Sequence, residues 1–146
     1  MSNKVVAIYV HCIFSTKERR EIIPPSLHPR LWAFLGGIGR NLGIAVLAAG
    51  GTSNHVHLLL SVPSTVTIAE AVQKLKANSS RWLGEQDVRS GWQEGYGAFS
   101  VSASQIECVK TYIANQGEHH RRRDFGEEMA AFERNAATEG PARQNR

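Results

Sequence analysis

Two histidines, His55 and His57, flank a valine in the run Asn54-His55-Val56-His57-Leu58-Leu59-Leu60-Ser61-Val62. The density of leucine and valine predicts a buried β-strand. Strand side chains alternate in direction, so both imidazoles leave one face while Val56, Leu58, Leu60 and Val62 leave the other. Two imidazoles on one side of a rigid strand make half of a divalent-metal site, and a metal held there can act on phosphate. Further along, Tyr112 and Gln116 are spaced to share one face of a helix, beside the stripe Ile106, Val109 and Ile113. A phenol can act as a nucleophile and form a covalent intermediate. Its pKa of about 10 makes it weak until the target is polarised. Gln116 can add a carbonyl oxygen to the two imidazoles. Nitrogen ligands with one oxygen leave positions for water and phosphate, and accommodate Mg²⁺ or Mn²⁺ less strictly than an all-oxygen cage.

Each of these features has a plainer reading. A His-X-His triplet in a strand usually binds nothing, and a tyrosine and glutamine four apart on a helix are usually surface or packing residues. His119-His120 before Arg121-Arg122-Arg123 fits a phosphate-binding cluster or a solvated basic turn equally well. Trp82 and Trp92 could stack on bases, but Trp82 falls on an apolar stripe and reads as core. Lys17, Arg19, Arg20, Lys74, Lys76 and Arg81 are candidate phosphate contacts by charge and position.

The elements that must position these groups come from a chain of 146 residues with 42% apolar content, enough for one domain with its own core. The net charge of +4 points weakly to nucleic acid or another polyanion, or to a soluble domain that is merely basic. Cys12 and Cys108 form no metal or redox motif, and Cys12 reads as a small core residue. No signal peptide and no bilayer-spanning stretch is evident, so a cytoplasmic location is expected.

Residues 5–15 predict the first strand. Ser26 is a candidate cap for a helix carrying Leu31, Phe34, Leu35, Ile38 and Leu42, stopped at Gly43. Residues 44–49 predict a second strand, paired as a hairpin with the histidine strand that Pro63 closes. Thr67 and Glu70 form a capping-box pattern before the helix of Ile68, Val72, Leu75 and Leu83. Residues 84–95 read as a loop and 96–102 as a fourth strand. Ser104 and Glu107 repeat the capping pattern before the tyrosine helix, and Asp124 and Glu127 open a last one. Residues 1–133 are expected to form the single domain, with a polar disordered tail over 134–146. This order is α+β, the split βαβ or ferredoxin-like arrangement. It predicts an antiparallel sheet with two helices on one face and the histidines on the opposite, open face.

The motifs in combination resemble the single-tyrosine HUH transposases, the enzymes of minimal bacterial insertion sequences and their REP-associated relatives. The likeness rests on His55-Val56-His57-Leu58-Leu59-Leu60, then Gly95-Tyr96-Gly97-Ala98-Phe99-Ser100-Val101-Ser102, then Tyr112-Ile113 with Gln116 and Glu118-His119-His120. Phe14-Ser15-Thr16-Lys17 with Arg19-Arg20, and Lys74-Leu75-Lys76 with Ser79-Ser80-Arg81, are also similar. The resemblance implies a DNA transposase that cleaves and rejoins single-stranded DNA. It implies metal ligation by His55, His57 and Gln116, with Mg²⁺ or Mn²⁺ as cofactor, and attack by Tyr112 to give a 5′-phosphotyrosine and a free 3′-OH. It also implies a homodimer that reads DNA hairpins at element ends. Asn54 stands where many members carry an acidic residue, which bears on the support of the ligands and not on the ligand set.

Two other readings remain at this stage. A non-catalytic single-stranded nucleic-acid-binding module on a ferredoxin-like sheet would explain the charge but not the coincidence of His55, His57, Tyr112 and Gln116. A different histidine phosphoesterase fits poorly. The histidine-triad kind needs a histidine at Leu59, and (β/α)₈ metal hydrolases typically need about 250 residues.

Overall fold

The computed structural model describes residues 4–89, 91–119 and 124–139. The basic run Arg121-Arg122-Arg123 and His120 lie outside the described residues. The chain separates into two compact units, Met1–Gln116 and Gly117–Arg146.

The first unit holds a four-stranded antiparallel sheet in the order β2-β3-β1-β4. Its strands are β1 (Tyr9–Ser15), β2 (Ala45–Gly51), β3 (His55–Ser61) and β4 (Gly97–Val101). Helix α1 (His28–Asn41) links β1 to β2, and α2 (Ile68–Glu85) links β3 to β4. This is the expected ferredoxin-like order. The expected β2–β3 hairpin is present, with an irregularity between Val46 and Ala48. Strand β1 begins at Tyr9 and not at residue 5. Its pairing with β3 ends at Tyr9 opposite Ser61, and Val5 stands almost fully exposed. Pro63, having no N–H, follows the end of β3 and helps to end the pairing.

One face of the sheet carries the apolar core. Val10, Cys12 and Phe14 of β1 and Val56, Leu58 and Leu60 of β3 pack with Leu31, Leu35 and Ile38 of α1 and Val72, Leu75 and Leu83 of α2. Burial pushes the Cys12 thiol up to about 12, consistent with an inert core residue. Trp82 stacks on Phe34 with ring centroids 5.2 Å apart. Trp92 packs edge-on to Phe14 and donates its indole N–H to Ser79 Oγ at 2.9 Å. Both rings are used in packing.

The helix ends follow the sequence in part. The Glu70 N–H bonds Thr67 Oγ1 at 3.1 Å, and Gly43, at φ 76°, follows the end of α1. Ser26 and Ser104 do not cap. Each lies inside a short 3₁₀ turn, Pro25–Leu27 and Ala103–Gln105, and neither α1 nor α3 has a side-chain cap.

The remaining elements are α3 (Ile106–Ala114), α4 (Gln116–His119) and α5 (Phe125–Glu139). Helix α5 starts after Asp124, whose Oδ1 accepts the Glu127 N–H at 2.8 Å. It continues past the boundary expected near residue 134.

Candidate metal and nucleophile site

The second face of the sheet carries the polar groups. Antiparallel register sets Ile13 opposite His57 and His11 opposite Leu59, so His11, His55 and His57 share this face. The expected open face is covered. His55 and His57 are fully buried, and α3 packs against β2 and β3. Its seat on the sheet depends on Gly50, opposite His57 in β2. A Cβ at Gly50 would fall 2.4 Å from the Ile113 carbonyl oxygen, so only glycine lets the α3 backbone come this close.

That seat brings the expected residues together. The Tyr112 ring lies edge-on to His57, with centroids 5.7 Å apart, and the His55 and His57 rings are 5.0 Å apart. Gln116 Oε1 lies 3.1 Å from His55 Nε2. Tyr112 and Gln116 do not share one continuous helix, as the spacing predicted. Helix α3 ends at Ala114, and the Asn115 N–H is shared between the carbonyls of Thr111 and Tyr112. Gln116 stays linked to the tyrosine turn through its own amide, which donates to the Tyr112 carbonyl at 3.3 Å.

Hydrogen bonding fixes the His55 ring. Asn54 Oδ1 accepts from the Thr52 hydroxyl at 3.0 Å and lies 2.8 Å from His55 Nδ1. The Thr52 hydroxyl also lies 3.0 Å from His55 Nδ1. With the proton on Nδ1, directed at the Asn54 amide oxygen, Nε2 keeps its lone pair. In this tautomer Nε2 presents a lone pair to Gln116 Oε1, whereas in the other Nε2–H donates to that oxygen. The Nδ1–H tautomer sets two lone-pair atoms 3.1 Å apart, an arrangement that a cation between them would satisfy. Adjacent ligands at about 2.1 Å from an ion, at right angles, stand about 3 Å apart. The donor set fits a divalent metal on this ground. Nε2 is the His57 atom that could ligate an ion, because its Nδ1 faces His11 Nε2 at 2.8 Å.

The basic residues lie on two elements. Lys17, Arg19 and Arg20 lie on the turn that leaves β1, where Glu18 and Arg19 both hold left-handed backbone, at φ 57° and 56°. Such conformations are strained for residues other than glycine. The turn is tied to the site: Thr16 N–H bonds the Asn54 carbonyl at 2.8 Å, and Asn54 Nδ2 reaches the Arg19 carbonyl at 3.4 Å. Arg20 pairs with the exposed Glu18 at 3.0 Å. Lys74, Lys76 and Arg81 lie on α2, which packs on the opposite, apolar face. Lys76 donates to the carbonyls of Gln93 and Gly95 at 2.7 and 2.8 Å, and burial lowers its pKa. It holds the loop before β4. Arg81 bonds Asn78 Oδ1 at 3.0 Å.

Sequence reading passed over His11. Its signal was a single imidazole within the otherwise apolar run of β1, at the parity that register makes equivalent to His57.

Residues 4–116 match the family described as transposase, IS200 like. The chain belongs to that family. This IS200-like transposase is 25% identical over 128 residues to the transposase for insertion sequence element IS200 of Salmonella typhimurium strain LT2, covering 82% of each chain. The same figures hold for the IS200 transposase of Salmonella typhi. Among solved structures, it resembles a transposase-like protein of Deinococcus radiodurans R1 with a TM-score of 0.63 and 24% identity, over 80% of this chain and 95% of that one. A REP-associated tyrosine transposase bound to a REP hairpin gives a TM-score of 0.59 and 12% identity, over 82% of this chain and 74% of that one. The last two likenesses show the shared fold. No helix among the described residues is long and apolar enough to cross a membrane.

Proposed function

We propose that this IS200-like transposase cleaves and rejoins single-stranded DNA through Tyr112, at a divalent metal held by His55, His57 and Gln116. The observation that carries the reading is the convergence of a phenol, two buried imidazoles and an amide oxygen on one sheet face. Mg²⁺ or Mn²⁺ held there would polarise the scissile phosphate and offset its growing negative charge.

The Tyr112 oxygen forms a bond to phosphorus and gives up its proton. The bond from phosphorus to the 3′ oxygen breaks, and that oxygen leaves as a 3′-OH after gaining a proton. The 5′ end stays on Tyr112 as a phosphotyrosine ester. Because the ester replaces one phosphodiester linkage with another, an incoming 3′-OH can reverse the step without ATP. The edge of the Tyr112 ring against His57 supports action within one chain. The DNA partner would be a hairpin at an element end, and the working form a homodimer. The turn bearing Lys17, Arg19 and Arg20 would contact phosphate, since Asn54 ties it to the His55 end of the site.

The test is incubation with labelled single-stranded hairpin oligonucleotides from the DNA flanking the gene, with Mg²⁺ or Mn²⁺. The expected result is a covalent adduct that mass spectrometry maps to Tyr112. In Tyr112→Phe the adduct should vanish while hairpin binding persists. Binding without any adduct from the wild-type chain would favour the non-catalytic module.

A further inference from the structure

His11 has no part in the ligand set, yet it is buried beside it and shares a proton with one ligand. Its Nε2 lies 2.8 Å from His57 Nδ1, with ring centroids 5.0 Å apart. Between two neutral imidazoles at this distance one nitrogen donates and the other accepts, which allows two arrangements. If His57 Nδ1 holds the proton, His57 Nε2 keeps its lone pair. If His11 Nε2 holds it, the neutral His57 ring carries its proton on Nε2 and cannot ligate. The two ligand histidines are therefore supported differently. His55 has amide oxygens on both sides, Asn54 Oδ1 at Nδ1 and Gln116 Oε1 at Nε2, with the Thr52 hydroxyl also at Nδ1. His57 faces a group able to play either role.

We propose that His11 is a positioning residue: accepting at Nε2, it holds His57 in the tautomer with the proton on Nδ1 and so keeps Nε2 open to the metal. This rests on the assignment of His57 as a ligand. Partners of this kind orient the ring and raise ligand basicity, and their loss weakens metal affinity about 10–100-fold. His11 also packs edge-on to Tyr112, with centroids 6.1 Å apart, so one imidazole touches both the ligand and the nucleophile ring. His57 is fully buried, so its ring nitrogens depend on partners inside the fold.

The experiment has two readouts. In the metal-free wild-type protein, ¹⁵N NMR of the histidine rings should show His57 protonated at Nδ1. A ring protonated at Nε2 overturns the proposal. Calorimetric titration with Mn²⁺ should then show an affinity lowered about 10–100-fold in His11→Phe, which keeps a ring against Tyr112 but removes the acceptor. His11→Gln, which supplies a carbonyl acceptor, should recover most of it. Equal affinity in wild type and His11→Phe, or equal loss in both variants, overturns the proposal. If His11→Phe does not fold, the wild-type spectrum and His11→Gln still decide. No Mn²⁺ binding by the wild-type protein defeats the metal reading itself, while the spectrum continues to test the tautomer.

Discussion

The two faces of this sheet are built from the same strands by opposite rules. On one, Val10, Cys12, Phe14, Val56, Leu58 and Leu60 pack under α1 and α2 with no polar atom to satisfy. On the other, His11, His55 and His57 are equally buried, and each ring is held by a named nitrogen against a named partner. The first face is specified by volume and can exchange one apolar side chain for another of similar size. The second is specified by donors and acceptors, where removing one partner leaves a buried group unsatisfied. Period-two alternation in β3 produces both at once: odd positions build the site, and even positions anchor it.

The contrast can be broken from the apolar side first. Leu58→Ala opens a cavity between sheet and helices and should lower stability by about 2–5 kcal/mol, measured by urea unfolding. The metal affinity of the fraction that remains folded should change little. A parallel loss of affinity would mean that the two faces are not separable.

Gly50→Ala acts from the other side. The added methyl meets the Ile113 carbonyl, so α3 must move away from the sheet and carry Tyr112 and Gln116 with it. A displacement of about 1 Å should slow adduct formation about 100-fold. The stability loss should be smaller than for Leu58→Ala, about 1–3 kcal/mol. Unchanged cleavage would show that the seat of α3 does not set the position of the nucleophile.

The smallest effect is electrostatic. Lys17 lies on the turn tied to Asn54, whereas Lys74 lies on α2 across the sheet, and both are exposed. If DNA lies along the histidine face, Lys17→Ala should flatten the salt dependence of hairpin binding by about 0.7 in log–log slope. Lys74→Ala should change it less. Equal changes would place DNA on both faces.

Much of this fold was legible because it rests on local periodicity. The alternation of β3, the apolar stripes of α1 and α2, and the Thr67 cap are all properties of neighbouring residues. What the sequence did not reveal depends on tertiary contact. The histidine face was expected to be open, because nothing local says that α3 folds back over it. Strand β1 is shorter than its composition predicts, since Val5 and Val6 have strand propensity but lie outside the paired register. Ser26 and Ser104 look like caps in sequence, but a 3₁₀ turn precedes each helix and draws the serine into the turn. Of the candidate site residues, His55, His57, Tyr112 and Gln116 were legible in spacing and family resemblance. His11 did not, because its meaning lies in the register that sets it diagonal to His57.

The central claim is that one ion can be gripped by two strand imidazoles and a helix amide beside the phenol. Crystals grown or soaked with Mn²⁺ test it through the anomalous difference map. A single peak should lie within about 2.0–2.4 Å of His55 Nε2, His57 Nε2 and Gln116 Oε1. The Tyr112 hydroxyl should border the same space. Manganese bound elsewhere on the chain, with these three atoms making no bond to it, would contradict the account.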